Sequence, residues 1–282
     1  MRILVVGGQG QIGKALSLLF HKEGHSIFSF PSHQLNICNP ISIEKAVAAS
    51  LPLDFIINCA AYTAVDRAED EPEKAFLVNA EGVKNLAECC KKWNVPLIHF
   101  STDYIFDGEK ISPYLETDTP NPQNIYGASK LKGEHLLSQS WEKHIILRVS
   151  WVFGPYGNNF VKTISALAQT RDHLKIINDQ HGCPTGASHI AQIVLQLLNH
   201  PALSKHWGTY HYTDAPLTTW YDFARSFVPQ DQCQIEAISS QNYPTRAKRP
   251  LHSALNCDKI FRIFGISQAD WHHELHLLSE IE

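Results

Sequence analysis

Short apolar runs, each followed by a segment whose apolar residues recur every three or four positions, set the pattern of this chain. Residues 3–6 form the first such run. It is continuous rather than alternating, as expected of a strand buried on both faces, and a glycine-rich turn leads from it into an amphipathic helix over 14–22. The alternation then repeats. Strands are predicted at 26–30, 55–59, 96–100 and 145–149, with helices at 42–49, 72–92 and 125–138 between them. Repeated strand–helix units predict a parallel sheet covered by helices on both faces, with right-handed crossovers.

After Trp151 the pattern loosens. Helices are expected at 160–169 and 188–198 with a strand at 174–177 between them, followed by short mixed elements at 208–212, 221–227 and 233–238. The expected architecture is therefore α/β: a Rossmann-type doubly wound parallel sheet with a smaller C-terminal substrate lobe. Residues 1–150 would form the dinucleotide-binding domain, helped by elements returning from about 160–200, and residues 151–282 would form mainly the lobe, with a cleft between.

A length of 282 residues suits two such parts, and 44% hydrophobic residues exclude wholesale disorder. Twenty-four Lys and Arg against 28 Asp and Glu leave a formal charge of −4, which argues against a nucleic-acid partner. Seven cysteines, an odd number without a C-x-x-C pair, point to a reducing cytoplasm rather than a disulfide framework. The run at 3–6 is too short for a signal-peptide core, and no apolar stretch approaches a bilayer span, so neither export nor a membrane partner is expected.

The turn Gly7-Gly8-Gln9-Gly10-Gln11-Ile12-Gly13 lets a backbone bend sharply and approach a pyrophosphate, whose charge meets unpaired N–H groups at the helix start. The acidic residue that often follows about 20 positions later to bind a ribose is absent. Residues 29–36 read SFPSHQLN, with no Asp or Glu to favour NAD and no Arg to favour NADP. Farther on, Tyr126 and Lys130 stand four apart, on one helix face, where an ammonium can stabilise a phenolate and reach ribose hydroxyls. Thr102 and Asp103 follow the fourth predicted strand, at the end of the sheet where ligands collect; capping the next turn would explain them equally.

With these motifs stand residues 58–66, NCAAYTAVD, and 101–108, STDYIFDG; then RVSWVFG at 148–154, GNNF at 157–160, NDQHGCPT at 178–185, TWYD at 219–222, and Arg249-Pro250. On this ordered set the chain resembles the extended short-chain dehydrogenase/reductases and, within them, the dTDP-4-dehydrorhamnose reductase family. The resemblance implies reduction of a nucleotide sugar, dTDP-4-dehydro-L-rhamnose, by NADPH or NADH. Gly7, Gly10, Gln11, Ile12 and Gly13 would hold the pyrophosphate, Asn36 and Ile37 would border the adenosine, and Ala60, Ala61 and Tyr62 would line the dinucleotide. Tyr126 would be the general acid, Lys130 would lower its pKa and bind ribose, and Thr102 would polarise the carbonyl. Thr102, Asp103 and Trp151 would meet the deoxysugar, with Val65 at its edge.

The chain departs from the family pattern at Asn36, often Asp, and at His252 and Ala254 within 249–255. Ala15 and Ser188 replace acids through which some relatives are thought to dimerise on magnesium, so no metal is implied; a homodimer stays possible. Dehydrating relatives carry an Asp-Glu pair after the Thr, whereas Tyr104 follows Asp103 here, which favours reduction. An epimerase uses the same Tyr, Lys and cofactor, and the beta subunit of methionine adenosyltransferase shows that a non-catalytic, dinucleotide-binding regulatory subunit can share this framework. His272 and His276, with Glu274, share a segment that could hold a metal but lacks a clear further ligand. Trp220, Tyr221 and Phe223 are expected to pack the lobe.

Overall fold

The computed structural model describes residues 1–279 of the chain. From the N-terminus run β1 (Arg2–Val6), α1 (Gln11–Lys22), β2 (Ser26–Phe28), α2 (Pro40–Ser50) and β3 (Phe55–Asn58). Next come α3 (Val65–Ala68), α4 (Pro72–Phe76), α5 (Gly82–Trp93), β4 (Leu97–Thr102), α6 (Ile125–Ser140) and β5 (His144–Val149). The second half adds β6 (Val152–Phe153), α7 (Phe160–Ala168), β7 (His173–Ile177), β8 (His181–Gly182), β9 (Thr185–Gly186), α8 (Ala187–Asn199) and β10 (Gly208–His211). It ends with β11 (Thr218–Thr219), α9 (Trp220–Arg225), β12 (Gln234–Ile238), α10 (Asp258–Phe264) and α11 (Trp271–Ser279).

Six strands make one sheet in the order β10-β5-β4-β3-β1-β2, and every neighbouring pair is parallel. Side chains alternate across it, as the period of a strand requires. Ile3, Val5, Ile57, Ile98, Phe100, Ile145 and Leu147 enter the core shared with α1, α8 and α10. Leu4, Val6, Ile56, Leu97 and Ile146 enter the core on the other face, with α2, α5 and α6. The doubly wound expectation thus holds, and β10 supplies the sixth strand from beyond residue 200. Apart from this sheet, β7 and β12 pair in parallel and pack with α7 and α9 around Ile164, Leu174, Ile176 and Ala224.

The single helix expected over 72–92 is instead two helices joined by a π-helical turn, Leu77–Glu81. Asn79, a fully buried polar side chain, stands in the middle of the turn. The Asn79 amide accepts from the Tyr62 N–H at 2.8 Å and donates to the Tyr62 carbonyl and to Ser129 Oγ, both at 3.0 Å. The widened turn also lets α6 approach: a Cβ on Gly133 would lie 2.0 Å from the Asn79 carbonyl oxygen. Such bulges recur where a helix must aim a side chain at a site.

Near the carboxyl ends of the strands the second face turns polar. Arg148 on β5 donates Nε to Glu134 Oε1 at 3.0 Å and an Nη to Oε2 at 2.7 Å, with both residues buried. Its other Nη lies 3.2 Å from His211 Nε2. Removing one partner of such a pair leaves a desolvated charge. Glu134→Ala should therefore cost about 3–5 kcal/mol in urea unfolding; Glu134→Gln, which keeps one acceptor, should cost less, and equal stability of Glu134→Ala and the parent chain would refute this role.

Candidate active site

The glycine turn is shaped by contacts within the fold as well as by the room it leaves. Gly7 has φ +74°, and a Cβ there would sit 2.6 Å from the Ala60 nitrogen; one on Gly13 would sit 2.5 Å from the Gly7 carbonyl oxygen. Gly10 differs. A Cβ there would meet only the Gly7 oxygen, at 3.4 Å, and Gly10 caps α1 with no side chain closing the cap. The helix start is thus open to an anion, as a pyrophosphate requires. The turn is tied to the second half of the chain through Gln11, whose Oε1 accepts from Asn159 Nδ2 at 2.9 Å and whose Nε2 donates to the Asn158 carbonyl at 3.4 Å.

A cavity of about 590 Å³ opens from this turn along the ends of β3, β4 and β5. Gly10, Gln11, Ile12, Gly13, Ala60, Ala61, Thr102, Asp103, Tyr126, Lys130 and Trp151 line it. Gly7 lies outside the lining, where its carbonyl accepts from the Gly10 N–H at 3.0 Å. Asn36, Ile37, Tyr62 and Val65 lie outside the lining: Asn36 is exposed and accepts from the Cys38 N–H, while Ile37 is buried beneath Gly82. Tyr62 donates its hydroxyl to Glu71, and Val65 begins α3. Asn58, Ser101, Gly157 and Asn158 join the lining without having been singled out as site residues. Their signal lay in sequence blocks already noted, NCAAYTAVD and GNNF among them; Asn79 and His99 carried none.

Tyr126 is placed by a locked helix start. Asn124 caps α6 by accepting from the Gly127 N–H at 2.8 Å, the Ile125 N–H donates to Glu69, and a Cβ on Gly127 would collide with the Tyr104 carbonyl oxygen at 2.1 Å. Burial pushes the Tyr126 phenol up to about 12; hydrogen bonding with Thr102 pulls it down and the Asp103 charge pushes it up. Lys130, 2% exposed, donates to the Phe100 carbonyl at 2.6 Å. Burial lowers its amine to about 8, against the opposing pull of Glu134 and Cys59. Burial thus outweighs the other influences on the phenol.

Thr102 ends β4 and accepts from the Tyr104 N–H, while its hydroxyl donates to Asp103 Oδ1 at 3.1 Å. Asp103 Oδ2 and Ser101 Oγ are buried without a partner, and both residues line the cavity. Such atoms suit a polar ligand. Trp151 completes the wall in a strained conformation, φ +46°, stacked on Trp220 at 3.5 Å and 7°. A Cβ on Gly182 would lie 2.5 Å from its ring, so the indole is held from both flanks. Phe223 is fully buried in the lobe, as expected, and Trp220 backs the Trp151 ring.

The segment 247–255 crosses this region. Arg249 pairs with Asp66 at 2.6 Å, the Lys248 carbonyl accepts from Asn124 Nδ2, and Ser253 hydrogen-bonds Asp103. His252 stacks on His181 at 4.7 Å, and Ala254 is buried. The His-rich segment near the C-terminus is arranged otherwise than a metal centre: Glu274 is buried against Ser188, His272 accompanies Asp270, and no group of three or more potential ligands lies among the described residues.

Glycine turn, parallel sheet and paired Tyr126 and Lys130 define a Rossmann-type α/β protein of the short-chain dehydrogenase/reductase kind. The family model described as RmlD substrate binding domain matches residues 1–281, and the chain belongs to this family, that of the dTDP-4-dehydrorhamnose reductases. A dTDP-4-dehydrorhamnose reductase from Aggregatibacter actinomycetemcomitans is 41% identical over 97% of each chain. The crystal structure of a dTDP-4-dehydrorhamnose reductase from Clostridium acetobutylicum superposes with TM-score 0.93 at 34% identity, covering 100% of this chain and 99% of that one. The Bacillus anthracis enzyme, solved in complex with NADP, gives TM-score 0.93 at 33% identity with the same coverage.

Burial raises Asp103 from 3.8 to about 6, outweighing the Ser253 and Thr102 hydrogen bonds. The folded chain therefore keeps a proton that the unfolded chain releases, so this stabilisation is complete below about pH 4 and is lost as pH rises through 6. Across that window the parent chain should lose about 3 kcal/mol more than Asp103→Asn in urea unfolding. Parallel pH profiles for the two proteins would contradict the assignment.

Proposed function

We propose that this protein is an NADPH-dependent reductase that converts dTDP-4-dehydro-L-rhamnose to dTDP-L-rhamnose, in the cytoplasm, for cell-surface polysaccharide. The observation that carries the reading is the convergence of Thr102, Tyr126 and the buried Lys130 on the cavity that begins at the open cap of α1. The relatives named above support the substrate and the nucleotide. The residues present fit a dinucleotide: the Gly10 cap for its pyrophosphate, Ala60 and Ala61 along its length, and Lys130 for a ribose. Around β2 neither an acid nor an Arg selects between phosphorylated and plain ribose, so NADH belongs in the assay beside NADPH.

When bound, the reduced nicotinamide supplies the hydride for the sugar C4; the chain supplies placement and a proton. Thr102, turning its hydroxyl away from Asp103 Oδ1, and Tyr126 donate hydrogen bonds to the ketone oxygen, and Tyr126 gives its proton to that oxygen as it becomes an alcohol. A phenol held near 12 is protonated at neutral pH, as an acid must be, and the phenolate left behind needs a cation. Lys130, at about 8, still carries its charge at pH 7 and supplies one. Asp103 and Trp151, both in the cavity lining, fix the sugar. Because Tyr104 follows Asp103, the second carboxylate that a dehydration uses is missing.

Incubation with NADPH or NADH and dTDP-4-dehydro-L-rhamnose should consume cofactor stoichiometrically with alcohol formed. Tyr126→Phe should lower kcat about 10²–10⁴-fold, with cofactor affinity little changed by fluorescence titration. No consumption with either nicotinamide would overturn the reaction, and full activity of Tyr126→Phe would remove that residue from it.

A further inference from the structure

Lys130 is buried without a carboxylate of its own. Glu134, one turn along α6, is committed to Arg148, and what faces the amine instead is a ring nitrogen, His99 Nε2, at 3.4 Å. Which partner holds the proton between them follows from the atoms behind the ring. Asn58 Oδ1 accepts from the Ala60 N–H at 3.0 Å, which fixes the amide and turns its Nδ2 toward His99 Nδ1 at 3.1 Å. An amide nitrogen only donates, so His99 Nδ1 must accept. A neutral imidazole carries one N–H, and here it must be on Nε2, directed at Lys130.

We infer that Asn58 and His99 form a relay of fixed hydrogen-bond polarity, running from the Ala60 N–H to the Lys130 amine, and that His99 is thereby a positioning residue for Lys130. The inference rests on the proposed role of Lys130 and adds a residue that holds it. Asn58, His99 and Lys130 are 1%, 0% and 2% exposed, so water does not blur the polarity. The directed N–H opposes an ammonium and welcomes a free amine, which agrees with the lowered position of Lys130 and with His99 remaining uncharged by burial and by the Lys130 charge.

The other titratable and charged groups facing this pair do not change the sign. Tyr126 and Glu134 stand on α6 itself, the latter neutralised by Arg148 from β5; Cys59 after β3 stays a thiol through burial; His144 on β5 adds to the forces keeping His99 neutral. The outcome is a lysine poised between charged and free forms close to neutrality. Charged, it can serve the phenolate and ribose; freed, it can take up a proton again without a large change in energy.

Two readings on the protein without cofactor test this. Long-range ¹H–¹⁵N spectra of His-labelled protein should show His99 protonated on Nε2 and neutral throughout the folded range; an Nδ1–H form would overturn the relay. In Asn58→Asp, a carboxylate accepts from both Ala60 N–H and His99, which moves the ring proton to Nδ1 and presents a lone pair to Lys130. The Lys130 midpoint, followed with ¹³Cε-lysine and assigned with Lys130→Met, should then rise from about 8 by roughly one pH unit or more. An unchanged midpoint with an inverted ring would also overturn it. Should Asn58→Asp not fold, the His99 spectrum of the parent decides alone. Neither reading uses a nucleotide sugar, so failure of the proposed reduction and failure of the relay are separately visible.

Discussion

Taking an amine out of water at the end of a parallel sheet is costly, and the arrangement around Lys130 is organised by that cost. A fully buried ammonium without a counter-ion lowers its pKa until the free form competes. The Phe100 carbonyl, which extends from β4 toward α6, is its close hydrogen-bond acceptor at 2.6 Å. Everything that fixes the separation of β4 and α6 therefore fixes the amine. Gly127 and Gly133 permit the close approach of α6, the π turn at Leu77–Glu81 makes room for it, and Asn79 ties that turn to Ser129.

The same economy explains the polar patch in an otherwise apolar face. Asn58, His99 and Arg148 stand at positions where the alternation of β3, β4 and β5 calls for core residues, and each is paid back by a directed partner: Ala60 and His99, Lys130, Glu134. Two buried side-chain oxygens that the fold leaves without a partner, Ser101 Oγ and Asp103 Oδ2, belong to residues of the cavity lining, whereas Trp93 Nε1 and His181 Nδ1, also unpaired, do not. A buried polar atom that the fold leaves unpaired beside a cavity is available to what the cavity takes in.

Much of the architecture could be read from the sequence because it depends on local periodicity. Continuous apolar runs and intervening amphipathic segments gave the strands and helices of the sheet, and the glycine spacing and the Tyr126 and Lys130 interval picked out residues that the fold brings to one cavity. What escaped depends on distant partners. Asn79 looks like any polar residue in a helix until Tyr62 and Ser129 are seen against it, and the single helix expected there hid a π turn. His99 sits inside an apolar run, where its proton order is set by Asn58, 41 positions earlier. The left-handed backbone of Trp151 depends on Gly182 and Trp220, both far along the chain. Asn36, Ile37, Tyr62 and Val65, expected at the ligand on resemblance, stand back from the cavity lining: Asn36 and Tyr62 are engaged with Cys38 and Glu71, Ile37 is buried in the core beside Gly82, and Val65 opens α3.

The strap at 247–255 has a bearing on how the molecule is made. It bonds to Asn124 across 124 positions and to Asp66 across 181 and 183. Contacts so remote in sequence are late to form and slow to find. A ribosome-bound chain carrying the whole nucleotide fold would still present an unroofed crevice, with Asp66 unpaired and Asp103 missing its serine. Competence would arrive abruptly, once residues 247–255 have been made and fold back over a scaffold already set.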